Sequence, residues 1–260
     1  MMQFSNKVAL VTGAGSGIGK ASALLLARGG ARVAVLSRTA KEIEATRDEI
    51  AEAGGEAMAV TADIADAEAM GAAVDKIIAS WGRLDIVVAN AGINGVWAPI
   101  DELTPDEWNK TIAVNLGGTY LTLHLTVPHL KKAGGAIVIV SSINGTRTFT
   151  SAGATAYSAT KAGQVAMAQQ LALELGPHEI RVNAVCPGAI DTQIDDNTDK
   201  RNVEAAEIPA RFPEGDIPLT GGKPGSSHNV AEAIAFLASD AAAHITGVPV
   251  YIDGGQSLLR

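Results

Sequence analysis

The chain has 260 residues, 47% hydrophobic, 18% charged and only 4% aromatic, with a formal net charge of −8. That aliphatic content supports a substantial buried core, and the negative charge argues against a nucleic-acid backbone or an anionic membrane as partner. Cys186 is the single cysteine, which excludes an internal disulfide; with no signal-like apolar stretch at the start and no run of transmembrane length, a soluble cytoplasmic protein is expected.

Residues 7–12 are a short apolar run closed by glycines, read as a buried first strand. Helical spacing over 17–30 follows, stopped by Gly29 and Gly30. A second strand covers 32–37, an amphipathic helix 41–53, a third strand 56–61, a third helix 65–81 and a fourth strand 84–89. The long helical region 105–132 is expected to break near 115–118. Residues 136–140 form a fifth strand, 156–175 a helix, 181–185 a sixth strand, 230–238 a helix and 248–252 a seventh strand. Strands alternating with helices predict the α/β class, with a doubly wound parallel sheet of about seven strands. The segment 191–227 breaks the rhythm, being polar and rich in Pro and Gly. A loop of that length after a strand end is expected to be a substrate lid.

Chemistry is concentrated at two places. Thr12-Gly13-Ala14-Gly15-Ser16-Gly17-Ile18-Gly19 joins the first strand to the first helix. G-x-G-x-x-G does not fit, because its third glycine would fall on Ile18 or Lys20; G-x-x-x-G-x-G fits with Gly13, Gly17 and Gly19. Glycines there let a pyrophosphate approach the unpaired N–H groups of a helix N-terminus. Further on, Tyr157 and Lys161 stand four apart on one helical face. A free phenol has a pKa of about 10. A neighbouring ammonium favours phenolate, which would match Tyr157 to proton transfer at neutral pH. The five histidines show no H-x-x-x-H spacing, and no catalytic metal is expected.

These motifs occur in one order: T-G-x-x-x-G-x-G at 12–19, Asn90-Ala91-Gly92 after the fourth strand, Ser142 after the fifth, Y-x-x-x-K at 157 and 161, and Pro187-Gly188 after the sixth. Together they closely resemble the short-chain dehydrogenase/reductase family of nicotinamide-dependent oxidoreductases. The resemblance spans about residues 5–257 and implies one Rossmann-type domain over 1–260, with helices on both faces of the sheet and the lid at about 191–227. It implies that Ser142 polarises a substrate carbonyl, that Tyr157 exchanges the proton, and that Lys161 lowers the tyrosine pKa and bonds the nicotinamide ribose. Asn115 matches the asparagine that holds a water of the proton relay. Gly13, Ser16, Gly17, Ile18 and Gly19 would cradle the cofactor phosphates. Asp63 and Ile64 would contact adenine, and Asn90, Ala91 and Gly92 would lie beside the adenosine half. Pro187, Gly188, Ile190 and Thr192 match the segment along the nicotinamide.

At the end of the second strand, NAD-preferring enzymes place an acid. This chain has Ser37-Arg38, and the guanidinium suits a 2′-phosphate, so NADP(H) is expected over NAD(H). Ser16 stands where many NADP-dependent relatives carry a basic residue. Substrate contacts are expected from Asn94, Trp97, Ile143, Asn144, Ile194 and Phe212, besides Ser142 and Tyr157. Fourteen residues separate Ser142 from Tyr157, more than the family commonly shows, and Arg147 in that loop is a candidate for an anionic substrate group. The reaction implied is interconversion of a ketone and a secondary alcohol, most like that of bacterial 3-oxoacyl-carrier-protein reductases. A sugar or polyol dehydrogenase and a non-catalytic nucleotide sensor are the alternatives. The family also implies a homotetramer or homodimer built through the helices at 105–132 and 156–175 and the last strand.

Overall fold

The structure, a computed structural model, describes residues 3–192, 198–209 and 216–259. Its centre is the all-parallel, seven-stranded sheet expected above. β1 (Val8–Thr12), β2 (Arg32–Ser37), β3 (Glu56–Thr61) and β4 (Ile86–Ala89) are joined by α1 (Gly17–Arg28), α2 (Ala40–Glu52) and α3 (Ala67–Trp81). A short β5 (Gly95–Trp97) precedes α4 (Pro105–Ile112), a π-turn over Ala113–Gly117, α5 (Gly118–Leu130), β6 (Gly135–Val140) and α6 (Thr155–Leu175). Then come β7 (Ile180–Pro187), β8 (Ile190–Asp191), β9 (Thr198–Lys200), β10 (Gly225–Ser226), α7 (Ser227–Ala238) and β11 (Pro249–Ile252).

The spatial order is β11-β7-β6-β4-β1-β2-β3. Because side chains alternate across a strand, each strand feeds both faces. Ala9 and Val11 of β1, with Val88 and Val138, meet Leu26 of α1 and Ile234 of α7. Leu10, with Val87, Ile137 and Ile139, meets Met70 of α3, Leu123 of α5 and Leu175 of α6. Continuous burial on both faces is what makes these runs read as unbroken Val, Ile, Leu and Ala. The chain reverses its direction of winding between β1 and β4, which opens a crevice at their carboxyl ends.

Several boundaries differ from the sequence reading. Leu84 and Asp85 precede β4, where the Asp85 backbone still pairs with Val8 O and Ala136 N while its carboxylate accepts from Val8 N at 2.8 Å and from Arg83. The helix expected from 230 starts at Ser227, where a reciprocal cap between Ser226 and Asn229 satisfies its first donors. Within 191–227 the described residues form more than a loop: β9 pairs in parallel with β5, and β10 with β8. The expected helix break is a π-turn at Ala113–Gly117, so the helical path widens there and continues.

Candidate active site

The glycine turn leaves β1 and enters α1 at the crevice. Gly13 and Gly17 take φ of +66° and +52°, a region that L side chains avoid. A Cβ on Gly19 would come within 2.1 Å of the Gly13 carbonyl oxygen, so this glycine lets the turn fold on itself. Ser16, at the N-cap of α1, makes no side-chain cap, so the first helical N–H groups remain available to an anion. Thr12 Oγ1 accepts from Asn90 N at 3.0 Å and Ala91 N at 3.1 Å, and Asn90 Nδ2 donates to Thr12 O at 3.0 Å. The ends of β1 and β4 are thereby locked together.

Gly13, Ser16, Gly17, Ile18, Ser37, Arg38, Asp63, Ile64, Asn90, Ala91, Gly92 and Thr192 line one cavity of about 640 Å³. Gly19 stands behind its wall. The cavity runs along the carboxyl ends of β1 to β4, and its glycine cradle and open helix N-terminus fit a dinucleotide. It adjoins a second cavity of about 400 Å³, lined by Ser142, Tyr157, Lys161, Pro187, Gly188 and Ile190. Ile18, Asn90, Gly92, Ile93 and Thr192 border both, so the two form one cleft.

Tyr157 and Lys161 sit in the first turns of α6, facing the ends of β6 and β7. The Lys161 ammonium lies 5.4 Å from the Tyr157 ring centroid and donates to Val140 O at 2.9 Å. Both residues are buried, Tyr157 at 9% exposure and Lys161 at 4%. Burial pulls the Lys161 pKa down to about 8, and the same desolvation pushes the Cys186 thiol beneath it up to about 11. Ser142, at the end of β6, accepts from Asn144 N at 3.1 Å. Ser141, its neighbour in the same cavity lining, donates to Lys161 O at 2.8 Å, bolting α6 to β6.

Asn115 lies on the π-turn, fully buried and outside both cavity linings. Its side-chain amide pairs with the backbone of Ile93 as a strand would, accepting from Ile93 N and donating to Ile93 O, both at 2.8 Å. The π-turn frees the Asn115 carbonyl, which accepts from Thr119 Oγ1 at 2.7 Å and Gln164 Nε2 at 3.1 Å. Gln164 is one helical turn beyond Lys161 on the same face of α6, so the π-turn is tied to the helix that carries Tyr157.

Of the expected substrate residues, Asn94, Trp97, Ile143 and Asn144 line the smaller cavity; Ile194 and Phe212 lie outside the described residues. The Trp97 and Tyr157 rings stand 6.4 Å apart. Asn94 Nδ2 donates to Thr198 Oγ1 at 2.7 Å, fastening β9 over the cleft. Arg147, the candidate for an anionic group, has its guanidinium 3.6 Å from the Tyr251 ring centroid on β11 and is absent from both cavity linings. Sequence reading missed Ser151, Glu42 and Gln256. Gln256 arrives from beyond β11, and its Oε1 accepts from Ala189 N at 2.8 Å beside Gly188. No spacing signals such a residue, because only the adjacency of β11 and β7 brings it to the cleft.

Residues 13–257 match the family described as enoyl-(acyl carrier protein) reductase. The crystal structure of a 3-ketoacyl-ACP reductase from Sinorhizobium meliloti 1021 superposes with a TM-score of 0.95 and 64% identity, covering 97% of this chain and 100% of that one. A cis-4-hydroxycyclohexanecarboxylate dehydrogenase of Sinomonas cyclohexanicum is 40% identical, over 98% of each chain. A cyclohexanol dehydrogenase of Acinetobacter sp. (strain SE19) is 38% identical, over 98% of this chain and 96% of that one. Such likeness over the full cleft, glycine turn and Tyr-Lys helix included, means that the chain belongs to the short-chain dehydrogenase/reductase family of NAD(P)-dependent oxidoreductases.

Proposed function

We propose that this cleft reduces a ketone to a secondary alcohol, or runs the reverse, as a 3-oxoacyl-reductase-like carbonyl reductase. The observation that carries the reading is the placement of Ser142, Tyr157 and Lys161 on one cavity, with the ammonium 5.4 Å from the phenol ring. Bound NAD(P)(H) supplies or accepts the hydride. Ser142 Oγ donates to the carbonyl oxygen as negative charge gathers on it. Tyr157 Oη delivers the proton to that oxygen in reduction and withdraws it in oxidation, and Lys161 favours the phenolate by its charge. Asn115 acts through Ile93, holding the cleft wall that faces Lys161. Ser16, Gly17 and Ile18 hold the phosphates, Asp63 and Ile64 the adenine, and Pro187, Gly188, Ile190 and Thr192 the nicotinamide half. The segment 191–227 serves as the lid.

NADP(H) is the favoured cofactor in this reading, through Arg38. Arg38→Asp should lower the ratio of NADPH to NADH affinity; an unchanged ratio sinks the assignment. A second substrate class is favoured by a specific observation. A cavity of about 400 Å³, where Trp97, Ile143 and Ile190 stand among Asn94, Asn144, Ser151 and Gln256, suits a compact ketone by its volume. The names of two relatives, a cyclohexanol and a hydroxycyclohexanecarboxylate dehydrogenase, point the same way. A panel of 3-oxoacyl thioesters, cyclohexanones and aldoses, run with both cofactors, separates the classes. Tyr157→Phe should lower turnover at least about a hundredfold while NADPH still binds; undiminished turnover would remove Tyr157 from the proton step. The same reading places the enzyme in the cytoplasm as a homotetramer or homodimer. Tyr120 of α5, 56% exposed, and Leu173 of α6, 80% exposed, supply outward apolar contacts for it, and sizing of the purified protein tests it.

A further inference from the structure

Three charged side chains from three elements meet at the end of the cleft beyond β2. Arg38 follows β2, Glu42 lies in the first turn of α2 and Asp63 follows β3, and all line the same cavity as Gly15 and Ser16. Arg38 is shared rather than free: its Nη1 stands 3.7 Å from Asp63 Oδ2. Glu42 lies back over the glycine turn. A Cβ built on Gly15 would meet Glu42 Oε2 at 2.6 Å and Glu42 Cβ at 2.8 Å, so a glycine at 15 makes room for this side chain. Helix α2 is pinned at that distance by Thr46 Oγ1, which donates to Ala14 O at 3.1 Å.

The charge balance follows. One guanidinium faces two carboxylates, so this end of the cleft carries a formal charge of −1. A phosphate monoester brings close to two negative charges at neutral pH. Ser37 leaves the end of β2 without the carboxylate that reads a ribose hydroxyl, yet a carboxylate reaches the same cavity from α2. We infer that Glu42 is the residue that limits the NADP(H) preference: its carboxylate accepts from the adenosine ribose hydroxyls and repels a 2′-phosphate, against the attraction of Arg38. This rests on the reading of the cleft as a dinucleotide site. An acid in the first turn of a helix also complements the helix dipole, and that role alone would leave cofactor choice untouched.

The test is fluorescence titration of NADPH and of NADH, with no substrate needed, on the wild type, Glu42→Gln and Arg38→Asp, alongside melting temperatures. Glu42→Gln is expected to tighten NADPH about tenfold relative to NADH, and the gain should shrink at high salt because the site is open to solvent. An unchanged NADPH/NADH ratio overturns the inference, whether or not the melting temperature drops. Equal movement of both affinities overturns it too. An unchanged ratio in Arg38→Asp overturns the opposition of Arg38 and Glu42 on which the inference is built. A wild type that binds neither cofactor would overturn the dinucleotide reading itself.

Discussion

At 4% exposure the Lys161 ammonium donates to Val140 O, and burial holds its pKa at about 8 instead of the ordinary 10.5. The direction matters for the pH profile. The folded value lies below the unfolded one, so the charged form is retained only below about 8. Carbonyl reduction needs that charge beside Tyr157, and rising pH removes it. Reduction by the enzyme is therefore expected to fall as pH rises through about 8, measured as the kcat of the best panel ketone. A flat profile to pH 10 would mean that the ammonium does not govern the proton step. Cys186 underneath remains a neutral thiol over this range, since burial holds it near 11.

The π-turn and α6 act as one element through buried hydrogen bonds. Asn115 satisfies both the N–H and the C=O of Ile93, so Asn115→Ala leaves two backbone groups without partners. That should destabilise the fold by about 2–4 kcal/mol in urea unfolding, and lower kcat as the wall facing Lys161 loosens. Gln164→Leu makes the opposite case. It loses the donors to Asn115 O and Thr119 Oγ1, but it also removes Gln164 Oε1, a buried acceptor with no hydrogen-bond partner. The two effects offset, so stability is expected to change by about 1 kcal/mol or less. A loss as large as that of Asn115→Ala would show that Gln164, and not Ile93, is the critical partner of the turn.

Across the whole molecule, the stretch around Arg201 is held to α4 by charge. Arg201 makes a two-pronged contact with Glu107, both bonds at 2.9 Å, across 94 residues of chain. Glu107 simultaneously caps α4 with Thr104, and Arg201 beside it lowers its pKa to about 2. A depressed carboxylate contributes above its ordinary range of about 4.5 and is lost as pH falls towards 2, so this clasp is intact at neutral pH. Arg201→Ala should raise KM severalfold with little change in kcat, since it releases one anchor of the proposed lid while the proposed reacting groups stay in place; a fall in kcat alone would contradict this. The alternation of apolar runs with helical spacing was enough to read the seven strands, their parallel sense and the glycine cradle, because those depend on local periodicity and on φ values only glycine tolerates. Spacing placed Tyr157 and Lys161 on one helical face, but their role was legible only from the family resemblance carried by the ordered motifs around them. Gln256, Glu42, Gln164 and the Arg201–Glu107 clasp were not, since each meets its partner across tens of residues of sequence. Chain order carries what neighbours along the backbone impose, whereas the packing of α2 on the glycine turn and of β11 on β7 decides which distant side chains share the cleft.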